Sequence, residues 1–246
     1  MKRNANFFGL NFSTLPMNEL ISSLLKENLE KGTAYHFVNS YTLSLADKSS
    51  ELYKILQNDF LICDGKPLAL TLRRRNKELQ QVRGADFMRQ FLRIDTSKGG
   101  HFFLGSSNKV LDQLVLNAKT INPKLKISGH FSPNYSTEFN GEIAKWVSMI
   151  RASKASIVWV GLGTPKQDFV SHEIAKSLQV KVFAVGAAFD FLSGSKSEAP
   201  KFLQRITLEW AYRLIKEPRR LGRRYVVGNY KFLLILLKEK IASVRN

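Results

Sequence analysis

Short apolar runs alternate along this chain with longer segments whose apolar residues recur at helical spacing. The runs Tyr35 to Val38, Phe60 to Cys63, His101 to Leu104, Lys126 to Phe131, Ile157 to Val160 and Lys181 to Val185 predict strands. Leu20, Ile21, Leu24, Leu25 and Leu29 predict an amphipathic helix beginning near Pro16. Further helices are predicted over about Ser40 to Gln57, Lys109 to Lys119, Glu138 to Ser153 and Lys166 to Leu178. Strands alternating with helices imply one mostly parallel sheet covered on both faces, a Rossmann-like α/β fold.

In such sheets ligands bind beyond the carboxyl ends of the strands. Small and polar residues stand at those ends: Asn39, Asp64 with Gly65, Gly105-Ser106-Ser107, Gly161 to Thr164, and Gly186 with Asp190. The most informative is IVWVGLGTPKQD, Ile157 to Asp168, where a buried-type strand meets a glycine turn and then helix-starting chemistry. Gly161 and Gly163 allow a tight turn, Thr164 can cap the following helix, and Pro165 suits its first position. A helix start of this kind offers amides and partial positive charge to a diphosphate. An ordinary strand-to-helix connection has the same local appearance, so the turn alone decides nothing.

Charge sharpens the picture. The 246 residues carry 38 Lys and Arg against 20 Asp and Glu, a net charge of +18, which favours phosphorylated ligands, anionic lipid or nucleic acid. Half of that surplus lies from Lys196 to Asn246, where 13 basic residues face 4 acidic ones. Phe202, Ile206, Trp210, Leu214 and Ile215 recur there at helical spacing, and YKFLLILLKEKIASV follows. A basic amphipathic segment with Trp and Tyr suits an anionic membrane surface, and packing on the core is the plainer reading of the same pattern. Turn residues from Ser193 to Pro200 set the boundary, dividing a Rossmann-like domain, residues 1–195, from a basic helical appendage, residues 196–246. The longest apolar run, Phe232 to Leu237, is too short to span a bilayer, and the start MKRNANFFGL lacks the apolar stretch of a secretory signal. The one cysteine, Cys63, sits in an apolar run and reads as a core thiol.

Asp64 follows three apolar residues and precedes glycine, so its carboxylate is expected at the strand end, facing the cleft as a general base. Asp-Gly is equally a common turn pair. Asn39 could orient a sugar hydroxyl or cap the next helix. The four histidines are scattered and no Asp-x-Asp pair occurs, so no metal site is expected. A diphosphate leaving group would then be met by helix N-termini and arginines, with Arg83 and the C-terminal arginines as candidates.

The motifs NSYTLSLA, CDG, VRGADF, FFLGSS, GLGTPKQD, GAAFDFLSG, EAP, LEWAYRLIKEPRRLGRRY and GNYKFL occur in this order from about Tyr35 to the end. Together they resemble the WecG/TagA/CpsF family of bacterial glycosyltransferases, glycosyltransferase family 26. The resemblance implies transfer of an N-acetylmannosamine-like sugar or uronic acid from a UDP donor to a saccharide on a polyprenyl diphosphate. The anomeric centre would be inverted and no metal or other cofactor needed. Asp64 would be the base. Asn39, Gly65, Arg83, Gly105, Gly161, Gly163, Thr164 and Gln167 would serve donor and acceptor, while Arg213, Arg220, Arg223 and Arg224 would meet the lipid diphosphate at the membrane. The protein would be cytoplasmic and peripheral at the inner face of the bacterial membrane, working in exopolysaccharide, capsule or teichoic-acid assembly, with self-association left open. Where the family usually has a small polar residue, an arginine and a basic residue, this chain has Phe37, Gln81 and Glu198. Two other readings compete: a basic nucleic-acid-binding module, motivated by the charge but without a nucleic-acid fingerprint, and an inactive scaffold with the transferase fold.

Overall fold

A hairpin that the apolar pattern did not reveal opens the chain. In the computed structural model, which describes residues 4–96, 99–134, 141–206 and 208–245, β1 (Asn4–Phe7) pairs antiparallel with β2 (Leu10–Ser13). The two turn residues Phe8 and Gly9 both have positive φ, 57° and 78°, the geometry that matches the twist of a two-residue hairpin. Phe8 in place of the usual Asn or Gly is why the turn carries no sequence signal.

The remainder follows the expected alternation. In chain order come α1 (Met17–Lys26), β3 (Thr33–Val38), α2 (Ser40–Leu45), α3 (Glu51–Asn58), β4 (Phe60–Cys63), α4 (Lys66–Arg73), α5 (Gly84–Ile94), β5 (Gly100–Gly105) and α6 (Asn108–Ile121). Then follow β6 (Ile127–Phe131), α7 (Ile143–Ser153), β7 (Ala155–Gly161), α8 (Lys166–Ser177), β8 (Lys181–Ala184), α9 (Ala188–Leu192), α10 (Lys201–Arg205), α11 (Glu209–Lys216) and α12 (Pro218–Arg245). The eight strands form one sheet in the order β1-β2-β4-β3-β8-β7-β5-β6, parallel throughout except for the hairpin. The expected α/β class with a mostly parallel sheet is what the chain adopts.

Side chains alternate across this sheet with the two-residue period of strands. Tyr35, Phe37, Ile62, Phe103, Trp159 and Phe183 face one core, shared with α1, α5, α6 and α9. Ala34, Val38, Leu61, Cys63, Leu104, Val158 and Val182 face the other side, beneath α3, α4, α7, α8 and part of α12. Cys63 is buried there, as expected of a core thiol, and burial pushes its ionisation up.

Four expectations change. The helix predicted over Ser40 to Gln57 is two helices, because Asp47 turns the chain by accepting from Ser49 and Ser50 then caps α3 through its hydroxyl. The helix expected from Glu138 starts at Ile143, and positions 138–140 lie outside the described residues. Leu29 lies beyond α1, which stops at Lys26. Thr164 does not cap α8: Pro165 takes the N-cap position without a side-chain bond, and Lys166 is the first helical residue.

The C-terminal segment is helical, and its two parts behave differently. α12 packs on α2 and buries Leu221, Phe232 and Ile235, the latter two in the core beneath β1 and β2. Gly228 permits this approach, since a Cβ there would stand 3.0 Å from the Tyr41 ring. In α10 and α11 the apolar positions stay open, with Phe202 66% and Ile215 78% exposed.

Candidate active site

The carboxyl ends of β4, β3, β8 and β7 open into a cleft of about 440 Å³, roofed by α11 and α12. Asn39, Asp64, Gly65, Arg83, Gly161, Gly163, Thr164, Gln167, Arg213 and Arg224 all line it. Gly105 does not. It stands one residue behind the cleft-lining Ser106, and its positive φ of 127° brings it so close to Gly161 that a Cβ would lie 2.6 Å from the Gly161 carbonyl oxygen. The side chains of Arg220 and Arg223 lie outside the described residues.

Asp64 is held by its backbone, whose amide donates to the Val38 carbonyl at 2.8 Å as the β3–β4 pairing ends. Gly65, with φ of 103°, turns the chain at once into α4 against Asn39, where only a residue without Cβ fits comfortably. Burial, joined by the Glu209 carboxylate, pushes the Asp64 carboxyl up to about 6, against the pull of Arg83, Arg213 and a hydrogen bond from Gln81. A group so placed is ionised at neutral pH yet basic enough to take a proton.

Asn39 does cap α2: its Oδ1 accepts from the amides of Tyr41 and Thr42 at 3.0 and 3.1 Å. That commits its oxygen and leaves the Nδ2 donor as the group that can address a ligand. Gln167 is 4% exposed and braces the glycine turn, its Oε1 accepting from the Gly163 amide while Nε2 donates to the Ala184 carbonyl.

The arginines divide into tied and facing groups. Arg83 meets Asp86 at 2.9 Å, Glu198 at 3.1 Å and Glu209 at 3.2 Å, and it also donates to Gln204. Arg89 completes the knot with Asp86 and Glu198. Burial works against ionised Glu198, but the bonds and charges of Arg89 and Arg83 outweigh it and hold its carboxyl below the usual range. Glu198 is thus an anchor that joins the C-terminal segment to α5. Arg213 lies over the Phe191 ring and Arg224 over the Tyr41 ring, at 5.2 and 3.9 Å, so both guanidiniums are oriented by aromatic faces at the cleft.

The sequence model of the family described as "Glycosyl transferase WecG/TagA/CpsF family" matches residues 5–246. The chain belongs to this family. It is therefore a glycosyltransferase. Two curated relatives are called N-acetylglucosaminyldiphosphoundecaprenol N-acetyl-beta-D-mannosaminyltransferase. The one from Bacillus spizizenii (strain ATCC 23059 / NRRL B-14472 / W23) is 30% identical over 190 residues, 76% of this chain and 71% of that protein. The one from Bacillus subtilis (strain 168) is 28% identical over 213 residues, 85% of this chain and 80% of that protein.

Sequence reasoning did not assign several cleft residues of this glycosyltransferase to the site. Tyr41 reaches the cleft from the first turn of α2, and Gln204, Glu209, Trp210, Tyr225 and Asn229 reach it because α10, α11 and α12 fold back over the strand ends. Trp210 and Tyr225 meet edge to face there, with ring centroids 6.1 Å apart. Their sequence spacing says nothing of it. Phe37 forms part of the wall and packs on Phe87 at 5.1 Å, a steric rather than hydrogen-bonding surface. Among the described residues, no group of three or more His, Cys, Asp or Glu is arranged to hold a metal ion.

Proposed function

We propose that the protein transfers a sugar of the N-acetylmannosamine or related uronic acid class from a UDP donor, with inversion, to a saccharide carried on a polyprenyl diphosphate. The observation that carries this reading is Asp64, a carboxylate raised to about 6 at the mouth of a strand-end cleft faced by Arg213 and Arg224. The Asp64 carboxylate takes the proton of the acceptor hydroxyl as that oxygen bonds to the anomeric carbon. The bond from this carbon to the diphosphate breaks on the opposite face, and UDP leaves with the electron pair. Guanidinium groups and the amides of the Gly161–Thr164 turn, rather than a metal, would meet the charge that develops on the diphosphate. The relatives' names, N-acetyl-beta-D-mannosaminyltransferases of N-acetylglucosaminyldiphosphoundecaprenol, support the class of sugar and the lipid-linked acceptor.

A lipid-linked acceptor would bring the enzyme to a membrane. Among the described residues no helix is long and apolar enough to cross one. The exposed Phe202, Trp210, Ile215, Val226, Tyr230 and Leu233, set among the basic residues beyond Lys196, suit docking on an anionic inner-leaflet surface, with residues 1–195 carrying the sheet and 196–246 the contact. Polysaccharide or teichoic-acid assembly is the setting this substrate class implies.

The test is transfer from a panel of UDP-sugars to a short-chain polyprenyl diphosphate bearing N-acetylglucosamine, in EDTA, read by mass spectrometry. One donor should give a product that Asp64→Asn does not make while still binding UDP. Undiminished transfer by Asp64→Asn would remove the base assignment, and transfer that requires added divalent ion would remove the metal-independent mechanism.

A further inference from the structure

His36 lies in the middle of β3 with no solvent exposure, on the sheet face it shares with Ala34 and Val38 and beneath α8. Its Nδ1 is 2.9 Å from Oδ1 of Asp168, and its Nε2 is 3.0 Å from Oδ2 of Asp59. Both ring nitrogens face carboxylate oxygens, so both donate and the ring is an imidazolium. His172, one turn along α8 from Asp168, adds a second bond to the same Asp59 oxygen at 2.8 Å. Burial disfavours the charged His36 ring, but the bonds and charges of Asp168 and Asp59 outweigh it and lift its titration to about 9.

Three members of this cluster are linked along the chain to cleft residues. His36 is three residues before Asn39, Asp59 immediately precedes β4, which leads directly into Asp64, and Asp168 follows Gln167 in the first turn of α8. Gln167 in turn braces the glycine turn. Among the described residues the Asp168 side chain has His36 as its one hydrogen-bond partner, and its buried Oδ2 has none.

Resting on the transferase reading of the cleft, we propose that His36 is a positioning residue whose charged ring clamps β3, the start of β4 and the first turn of α8, and so sets Asn39, Asp64 and Gln167 in register for transfer. Loss of the ring proton turns one nitrogen lone pair toward a carboxylate and drives that partner away. A displacement of about 1 Å at reacting groups costs on the order of 100-fold in rate. The other charges around the ring are few. Glu173 adds its field to His172. Glu51 and Lys54 lie on the exposed face of α3. α2 carries no acidic or basic residue, and Lys181 of β8 sits at the far end of the β3 pairing, bonded to the Glu27 carbonyl.

The test follows the ring and the reaction together. NMR of the His36 ring in the intact enzyme should show titration near pH 9, with kcat for sugar transfer falling in step on the alkaline side. Asp168→Asn removes one of the two anions, so both the ring titration and the alkaline fall of kcat should move to lower pH by about one unit or more, with the donor KM little changed. His36→Gln should lower kcat at every pH and abolish the alkaline dependence. A merely structural ion pair predicts instead a lower melting temperature with the kcat profile unmoved, and that result overturns the inference. Should either variant fail to fold, the wild-type enzyme still decides, since an alkaline fall in kcat that does not coincide with the ring titration refutes the clamp. Full activity in Asp64→Asn would refute the assignment of the cleft instead, so the two readings fail separately.

Discussion

Gln167 accepts the Gly163 amide at 3.0 Å while donating to Ala184 at 3.1 Å, so one buried side chain ties the glycine turn after β7 to the end of β8. The turn's shape therefore depends on a residue in the helix that follows it. Gln167→Ala frees the Gly163 amide and the Ala184 carbonyl. The expected cost is about 1–3 kcal/mol for the buried partner left unsatisfied. Isothermal titration should show weakened UDP binding, and unchanged affinity would mean the turn holds its shape without the brace.

Asp64 gives the reaction an acid limb. Its carboxyl titrates at about 6 in the folded protein, so activity should rise as pH increases through that value and the carboxylate becomes able to accept a proton. Stability has the opposite sign. A carboxyl raised above its unfolded value adds stability fully present below the unfolded titration, and this is lost as pH rises through about 6. Asp64→Asn should therefore melt higher than the parent at pH 8, with the gap closing on acidification. Thermal melts at pH 4 and 8 measure both.

Arg83 is the hub that ties Asp86, Glu198 and Glu209 together. Arg83→Ala leaves these carboxylates without their shared cation, and breaking such a part-buried set costs about 3–5 kcal/mol at the upper end. The loss falls on the junction of α5 with α10 and α11. Hydrogen exchange over residues 208–216 should accelerate more than in the sheet. Uniform exchange across the chain would show that the knot does not hold the roof.

Gly228 is where α12 touches α2. A Cβ there meets Tyr41 at 3.0 Å and Ser44 at 3.4 Å, so Gly228→Leu should overpack the contact by about 1–3 kcal/mol. Arg224, seated over the Tyr41 ring from the same helix, would shift with it. A lower melting temperature together with weaker transfer to the lipid-linked acceptor is the expected pair of outcomes. Gly228→Ala, with less to accommodate, should fall between.

The apolar pattern located β3 to β8, most clearly the five interior strands, because buried strands need apolar runs, whereas β6 at the sheet edge is only partly buried. The same logic placed Asn39, Asp64 and the Gly161–Thr164 turn on one edge, since parallel strands must all end on the same side. Local chemistry carried no trace of the Phe8-Gly9 hairpin, whose first turn residue is one that normally avoids positive φ. Nor could it reveal that Glu198 would neutralise Arg83 and Arg89, because those partners lie more than a hundred residues apart in the chain.

The chain's own order of residues thus decided where β3 to β8 form, which way they run and which polar groups stand at their carboxyl ends, for these follow from short-range spacing and backbone preference. Folding decided the rest: that α11 and α12 roof the cleft, that Gln167 turns inward to brace rather than outward, and that His36 meets Asp59 and Asp168. Those pairings depend on where whole elements dock, and docking is set by the sum of many distant apolar contacts that no local window contains.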